Sequence, residues 1–569
     1  MTRRGFRLGG VVLALMVPGF LSAAGFADLL DEYKADHGDV AASYDVPYAA
    51  AALDRKDALT KAWQARLETV DYAKLDASER IDWHLLHAYL IARHGDSELE
   101  RARWKEMEAM LAFLQPLQVL MGDRSARQGV NAEETAATLS AAAEALKELR
   151  KKLEQGHFNA DNLKPNPVAA VRIAGVLDAM RSELGQWFSF YDGFQADFSW
   201  WTRQPKGVLD KELETTAAFF RKDLAGLKGE PDDPLIGDPI GKDALTRELA
   251  AEMIPYSAEE LLAIAEKEFA WCEAEMAKAA TAMGCKDGKE ALAKVKADHA
   301  APGGQAAVAQ VEAEKAIRFL KDKDLVTVPP LAAETWGVAM LGVDAQKSLP
   351  YAAYSRPSIR VAYAHESMSH EDKLMAMRGN NAAFLHIVTP HELIPGHHLQ
   401  SFMARRYATE RQMFSTPFLV EGWALHWEML LWDLGYTATP QEKVGALFWR
   451  MHRCARVIVS LKFHLGEMTP EQMVDFLVDR VGHERAGATS EVRRYIGDGY
   501  GPLYQAAYMT GGLQLRALYK ELVGSGKMSV RDFHDRILHE GPVPIEMIRA
   551  ALKGEKLPKD WKPAWRFAE

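Results

Sequence analysis

Thr389-Pro-His-Glu-Leu-Ile-Pro-Gly-His-His-Leu-Gln400 is the stretch on which the reading of this chain turns. In the H-E-x-x-H arrangement, two histidines four residues apart share one helix face and hold a zinc ion, and the glutamate between them takes a proton from water. Here His391-Glu392 opens such a motif, but the next histidine is His397, six residues on. Six residues of regular helix turn by about 600° and rise about 9 Å, leaving the second ring a third of a turn from the first. A shared metal therefore requires a break between them. Pro395 has no N–H and its ring would clash with the carbonyl of His391, while Gly396 admits dihedrals closed to other residues. The expectation is a two-residue bulge at Pro395-Gly396 that brings the metal-facing nitrogens of His391 and His397 within about 3.5 Å of each other.

A site of this kind needs a third protein ligand. Phe418-Leu-Val-Glu-Gly-Trp-Ala-Leu-His-Trp-Glu428 reads as an apolar helix with Glu421 and Glu428 on roughly the same face. Carboxylates in apolar surroundings are costly unless paired or bound to metal. The expected ligands of one Zn2+ are His391, His397 and Glu421. Glu428, His426 and His398 are expected to orient them. His398 is also the alternative second ligand, although seven residues of continuous helix would carry it about 10 Å along the axis. The competing reading is a solvated stripe of glutamates, which Trp423 and Trp427 on the other faces oppose.

Two plainer patterns lie nearby. Thr389-Pro-His-Glu392 fits a helix-starting capping box, with Thr389 at the cap and Pro390 at the first helical position. That pattern leaves the crowding of His391, His397 and His398 unexplained. His365-Glu-Ser-Met-Ser-His370 is a second histidine–glutamate string, but it sits in a polar run and reads as a loop or exposed turn whose histidines could line the cleft.

The chain has 569 residues, 48% of them hydrophobic, enough for a large interior in two lobes or one helical body. Its net charge is −10 with no basic stripe, which excludes nucleic acid as an expected partner. Thr2-Arg-Arg-Gly-Phe-Arg-Leu8, an apolar run from Gly9 to Phe20 and Ser22-Ala-Ala24 form a signal peptide over residues 1–24. The Arg3-Arg4 pair resembles the twin-arginine type, with a general secretory signal as the alternative. Removal of Arg3, Arg4 and Arg7 with no acidic residue takes the charge from −10 to −13. No cysteine stands near the cleavage site and no later segment is long enough to span a bilayer, so no stable membrane anchor is expected. The expected location is periplasmic or secreted. Cys272, Cys285 and Cys454 are too few for a disulfide framework, though Cys272 and Cys285 could pair in an oxidising compartment.

Most of the remaining sequence has helical periodicity, with long helices expected over Leu99–Met121 and Glu133–Leu153. Capping boxes open at Ser257, Thr439 and Thr469. Strand signals are confined to Leu325–Val328 and Ile359–Tyr363. The Gly/Pro/Asp-rich stretch Lys228–Lys242 divides an N-terminal helical half, 25–235, from a C-terminal half, 236–569, that carries the chemistry. The fold class is mainly α with a small β element near the site. Trp187, Trp200 and Trp201, with Phe194 and Phe198 between them, are assigned to core packing, with an exposed aromatic patch as the alternative.

The string H-E-x-x-P-G-H-H-x-Q followed by E-G-W-A-L resembles the bacterial domain of unknown function 885 family of zincin-like proteins. The likeness extends over most of the chain, through Pro239–Leu245, Lys321–Pro329 and Glu491-Val-Arg-Arg-Tyr495. It implies a helical body with a deep cleft between two halves and a zinc-dependent peptidase of the glutamate type. After Tyr495 the chain departs from the family pattern: it carries two extra residues and Tyr504 where glutamine is expected, so the resemblance assigns no role to Tyr504 or Gln505. Tyr508, followed by Gly511, matches the family's tyrosine position.

These readings join in one expected mechanism: zinc on His391, His397 and Glu421, Glu392 as general base, and Tyr508 or Arg494 as donor to the developing oxyanion of a peptide substrate. Tyr508 could instead pack between helices, and Arg494 could be an ion-pair partner of Glu491. The alternatives in function are a metal-binding protein without hydrolytic activity and an esterase or amidase on non-peptide bonds.

Overall fold

The computed structural model describes residues 25–125, 129–157, 165–230, 232–497 and 499–568. The leader assigned to residues 1–24 lies outside the described residues. The described residues are mainly α-helical, with one three-stranded sheet among them. The capping boxes at Ser257, Thr439 and Thr469 open the helices Ala258–Ala282, Pro440–His464 and Pro470–Phe476, each with reciprocal side-chain and backbone bonds.

Several elements differ from expectation for local reasons. The helix expected over Leu99–Met121 is two, Ala77–Leu111 and Leu114–Ser125. Pro116 lacks the N–H that would bond the Ala112 carbonyl, and the helix breaks there. Leu325–Val328 is not a strand. Thr327 gives its N–H to the Asp535 carboxylate at 2.8 Å, and the Leu325 carbonyl faces His534 Nδ1 at 2.8 Å, so their backbone groups are engaged by side chains. The sheet consists of β1 (Gly337–Met340), β2 (Ala352–Ser355) and β3 (Ser358–Val361), in the order β1-β3-β2. β3 runs parallel to β1 and antiparallel to β2, with Ile359 opposite both Val338 and Tyr354.

The hydrophobic residues form two large cores that do not part cleanly at Lys228–Lys242. The larger joins Phe26–Leu90 to residues beyond Leu245, and the smaller is built mainly from Met107 to Ala225. The long helix Ala77–Leu111 belongs to both: Ile81, Leu86 and Leu90 enter the first, and Met107 and Leu111 the second. Arg411 fastens this helix to the C-terminal half through Asp82 at 2.7 Å, beside Glu540 at 3.0 Å. The aromatic cluster is split. Trp187 and Phe198 are buried, whereas Phe194 and Trp200 are 85% and 84% exposed. The three cysteines are buried and free, so Cys272 and Cys285 are not paired.

Candidate metal centre

The histidine motif straddles two helices. Ala382–Glu392 is capped by Asn381, whose side chain accepts from the Phe384 N–H, so Thr389 and Pro390 lie near the helix end and not at its start. The helix stops at Glu392, and His397 opens the next one, His397–Ala404. The interruption is therefore a complete break over four residues, with a cis Ile394–Pro395 bond, and not a two-residue bulge. Its turn is held internally by Gly396 N–H to the Pro390 carbonyl at 2.9 Å and His398 N–H to the Leu393 carbonyl at 3.0 Å. A Cβ on Gly396 would stand 1.7 Å from the His391 carbonyl oxygen, so only glycine lets the chain pass. Trp423 clamps the turn from outside, its indole N–H donating to the Pro395 carbonyl at 2.8 Å.

Glu421 and Glu428 stand on the buried helix Pro417–Asp433. This helix crosses Tyr504–Leu522 at glycine contact: a Cβ on Gly511 would lie 1.9 Å from the Phe418 carbonyl oxygen, and one on Gly422 would lie 2.5 Å from Gly511. The close crossing carries Tyr504 to Glu421, where its hydroxyl donates to Oε1.

The result is one compact cluster. Ligand atoms of His391, His397 and Glu421 all lie within 4.8 Å of one another. Glu421 Oε2 is 3.3 Å from His397 Nε2 and 3.7 Å from His391 Nε2, yet it is buried without a hydrogen-bond partner. A buried carboxylate oxygen left unpartnered between two imidazole nitrogens, with its sister oxygen already bonded, fits a divalent cation. Tetrahedral ligands bonded to zinc at about 2.1 Å stand about 3.4 Å apart, and the 3.3 and 3.7 Å separations from Glu421 Oε2 lie near that spacing. Behind it, Glu428 Oε1 stands 2.6 Å from His391 Nδ1, a close charge contact not aligned as a hydrogen bond, and 3.4 Å from Arg453. Burial would lower the His391 pKa, but Glu421 and Glu428 override it and push it up to about 9. Burial opposes ionisation of Glu421 as well, yet His397 and His391 hold its carboxyl well below the usual range. The cluster thus favours positive charge at its centre.

The other named residues fall into two groups. Glu392 and Tyr508 line the same cavity as the ligands, and the Tyr508 ring lies parallel to that of His391 at 6.3 Å. Arg494 also lines it, with its guanidinium 2.7 Å from Glu491. His398 points elsewhere: its Nε2 faces the Ala332 carbonyl at 3.0 Å, and the Tyr354 ring neighbours both it and His397 at about 6 Å. His426 is 3.1 Å from His534 in an aromatic cluster of Trp427, Tyr519 and Phe533, away from the ligands. His365 and His370 are not cavity residues; the first turns back on Ser367 and the second opens the exposed first turn of the helix His370–Gly379.

The cavity measures about 490 Å³, and its lining runs from Leu349 to Pro542. It lies wholly within the C-terminal half, not between the two halves, because the ligand helices pack directly on one another. β2 supplies Ala352, Ala353 and Tyr354 to one wall. Three lining residues that contact the candidate ligands or their partners had no role assigned from the sequence: Tyr504, Arg453 and Arg456. Tyr504 arrives only through the glycine crossing. Arg453 and Arg456 belong to a legible signal, since Arg450, Arg453 and Arg456 recur every three residues in the buried middle of the helix Pro440–His464. Such cations are costly unless paired or used.

Residues 33–552 match the family described as "Bacterial protein of unknown function (DUF885)". The chain belongs to this family. The DUF885 protein is also similar in fold to two solved structures of proteins provisionally described as lipoproteins. One, of unknown function from Shewanella oneidensis, aligns with a TM-score of 0.67 at 19% identity over 93% of this chain and 100% of its own. The other, from Colwellia psychrerythraea, gives 0.57 at 15% identity over 93% and 98%. Among proteins with curated descriptions, none matches this chain. Among the described residues, no helix of this DUF885 protein is long and apolar enough to cross a membrane.

Proposed function

We propose that this DUF885 protein is a zinc-dependent hydrolase of peptides, with the metal held by His391, His397 and Glu421. The observation that carries the reading is Glu421 Oε2, buried, unpartnered and facing two imidazole nitrogens. A zinc ion held there supplies Lewis acidity, polarising a substrate carbonyl and making water acidic near neutral pH. The chain's own groups do the rest. Tyr504 occupies Oε1 of Glu421 and so leaves Oε2 turned towards the histidines. Glu428 holds the Nδ1 side of His391 and presents its Nε2. Glu392, on the cavity wall beside His391, accepts a proton from the attacking water and returns it to the leaving amine. Burial pushes the Tyr508 hydroxyl far up in pKa, so it remains a donor to the oxygen on which charge develops.

The test is a peptide library incubated with zinc-loaded protein, chelated protein and Glu392→Gln. Cleavage is expected to vanish on chelation, to return with zinc, and to fall by about 10²- to 10⁴-fold in the variant, whose zinc content stays unchanged. Chelator-resistant cleavage, or unimpaired turnover by Glu392→Gln, contradicts the reading. Hydrolysis of esters without any peptide cleavage would move it to the esterase class. The proposal includes export to the periplasm or beyond, supported by the Arg3-Arg4 leader. N-terminal sequencing of protein recovered outside the cytoplasm is expected to begin at Gly25, and full-length protein confined to the cytoplasm contradicts it.

A further inference from the structure

We infer that Arg453, Arg456 and Arg494 bind a free carboxylate of the substrate, the α-carboxylate at the chain end, so that the enzyme removes residues from peptide C-termini. The inference rests on the hydrolase reading for its bond cleavage, but the carboxylate site stands on its own observations. All three arginines line the cavity that holds the ligand cluster. Their partners are two carboxylates: Glu428, 3.4 Å from Arg453, and Glu491, shared by Arg456 at 3.0 Å and Arg494 at 2.7 Å. Three guanidiniums thus share two carboxylates, and Glu428 also faces His391 Nδ1 at 2.6 Å, so the arginines outnumber the carboxylates paired with them. Moreover, the Nε–H groups of both Arg453 and Arg494 are buried without a hydrogen-bond partner. A buried cation with unused donors is costly unless an anion completes it.

The group is held rigidly. Glu491 accepts from Tyr495 at 2.7 Å as well as from the two arginines, and Arg456 also donates to Gln505 Oε1 at 3.1 Å. Arginine's planar fork suits a carboxylate, and a fixed fork gives up little freedom on binding. The spacing to the ligand cluster is short. The Tyr508 ring lies 4.4 Å from the Arg456 guanidinium carbon and 4.9 Å from that of Arg453, and it faces His391 at 6.3 Å. One aromatic ring thus separates the cationic group from the ligands. An extended peptide advances about 3.3–3.6 Å per residue, so a carboxylate on the arginines leaves room for one or two residues before the scissile bond.

A side-chain carboxylate of Asp or Glu offers the same chemistry, and the experiment separates the two sources. Zinc-loaded Glu392→Gln protein is equilibrated with N-acetylated tripeptide libraries bearing either a free carboxylate or a terminal carboxamide, and bound peptides are quantified by affinity-selection mass spectrometry. Free-acid peptides are expected to bind on the order of 10- to 100-fold more tightly than their amides, the range of a charged hydrogen bond. Arg494→Gln in the same background is expected to reduce acid binding about tenfold with amide binding and zinc content unchanged. If that variant fails to fold, the acid-to-amide ratio on the parent protein decides alone. Equal binding of acids and amides, or no binding of either, overturns the inference. Amides retained only when they carry Asp or Glu keep a carboxylate site but overturn its assignment to the chain end. Wild-type turnover distinguishes the two proposals: equal cleavage of acids and amides sinks this one and leaves the hydrolase, whereas selective acid binding without any cleavage does the reverse.

Discussion

Glu421 divides its two oxygens between two tasks, one bonded to Tyr504 and the other left to the histidines. Tyr504→Phe removes the first bond while keeping the ring, so the chain is expected to fold and its zinc affinity to fall about 10- to 100-fold, measured by competition with a chelating dye. Unchanged affinity would show that Tyr504 does not orient the ligand. At this scale the imidazoles and carboxylates were legible because they interrupt apolar sequence, where a charge needs a reason. Tyr504 was not, since it reaches Glu421 from 83 residues away and only packing brings them together. His398 and His426 mislead for the opposite reason. Sequence proximity to a ligand does not set the direction of a ring, and the Ala332 carbonyl and His534 claim them.

At the scale of elements, two glycine contacts place the ligands. Gly396 lets the chain turn under the His391 carbonyl, and Gly511 lets the Tyr504 helix meet the Glu421 helix. Gly511→Ala puts a methyl group 1.9 Å from a backbone oxygen, which no rotamer can relieve. A loss of about 3 kcal/mol is expected in urea denaturation, at the upper end of overpacking effects, together with weakened zinc binding. A loss below about 0.5 kcal/mol would mean that the crossing is loose. The need for a break after His391 followed from spacing and from Pro395-Gly396 alone. Its form did not, because a bulge and a full helix end satisfy the same local rules, and Trp423 and the Leu393 carbonyl decide between them. The β element was half legible: β3 carries Ile and Val, while β1 and β2 are four-residue strands built around Gly and Ala.

Across the whole molecule, the division into halves read from Lys228–Lys242 missed that the first helices complete the core of the C-terminal half. Composition marks a linker but not which core a helix joins. Glu252, just after the helix Gly241–Ala251, ties two elements of the C-terminal half: its carboxylate accepts from Thr416, the cap of the Glu421 helix. Burial pushes its carboxyl from the ordinary 4.5 up to about 7, against the Thr416 bond. The native chain therefore binds the extra proton between these values, and this contribution to stability falls as pH rises through pH 4.5 to 7. Because the residue keeps some contact with solvent, the loss is on the order of 1–2 kcal/mol. Glu252→Gln is expected to be more stable than wild type by that amount at pH 8 and equal to it near pH 4, and a variant destabilised at both would refute the assignment. The metal centre itself is tested most directly by metal content per chain, measured by mass spectrometry of purified wild type, His397→Ala and His398→Ala after equilibration with zinc. One zinc in wild type and in His398→Ala, and almost none in His397→Ala, is the predicted result; a full equivalent retained by His397→Ala contradicts it.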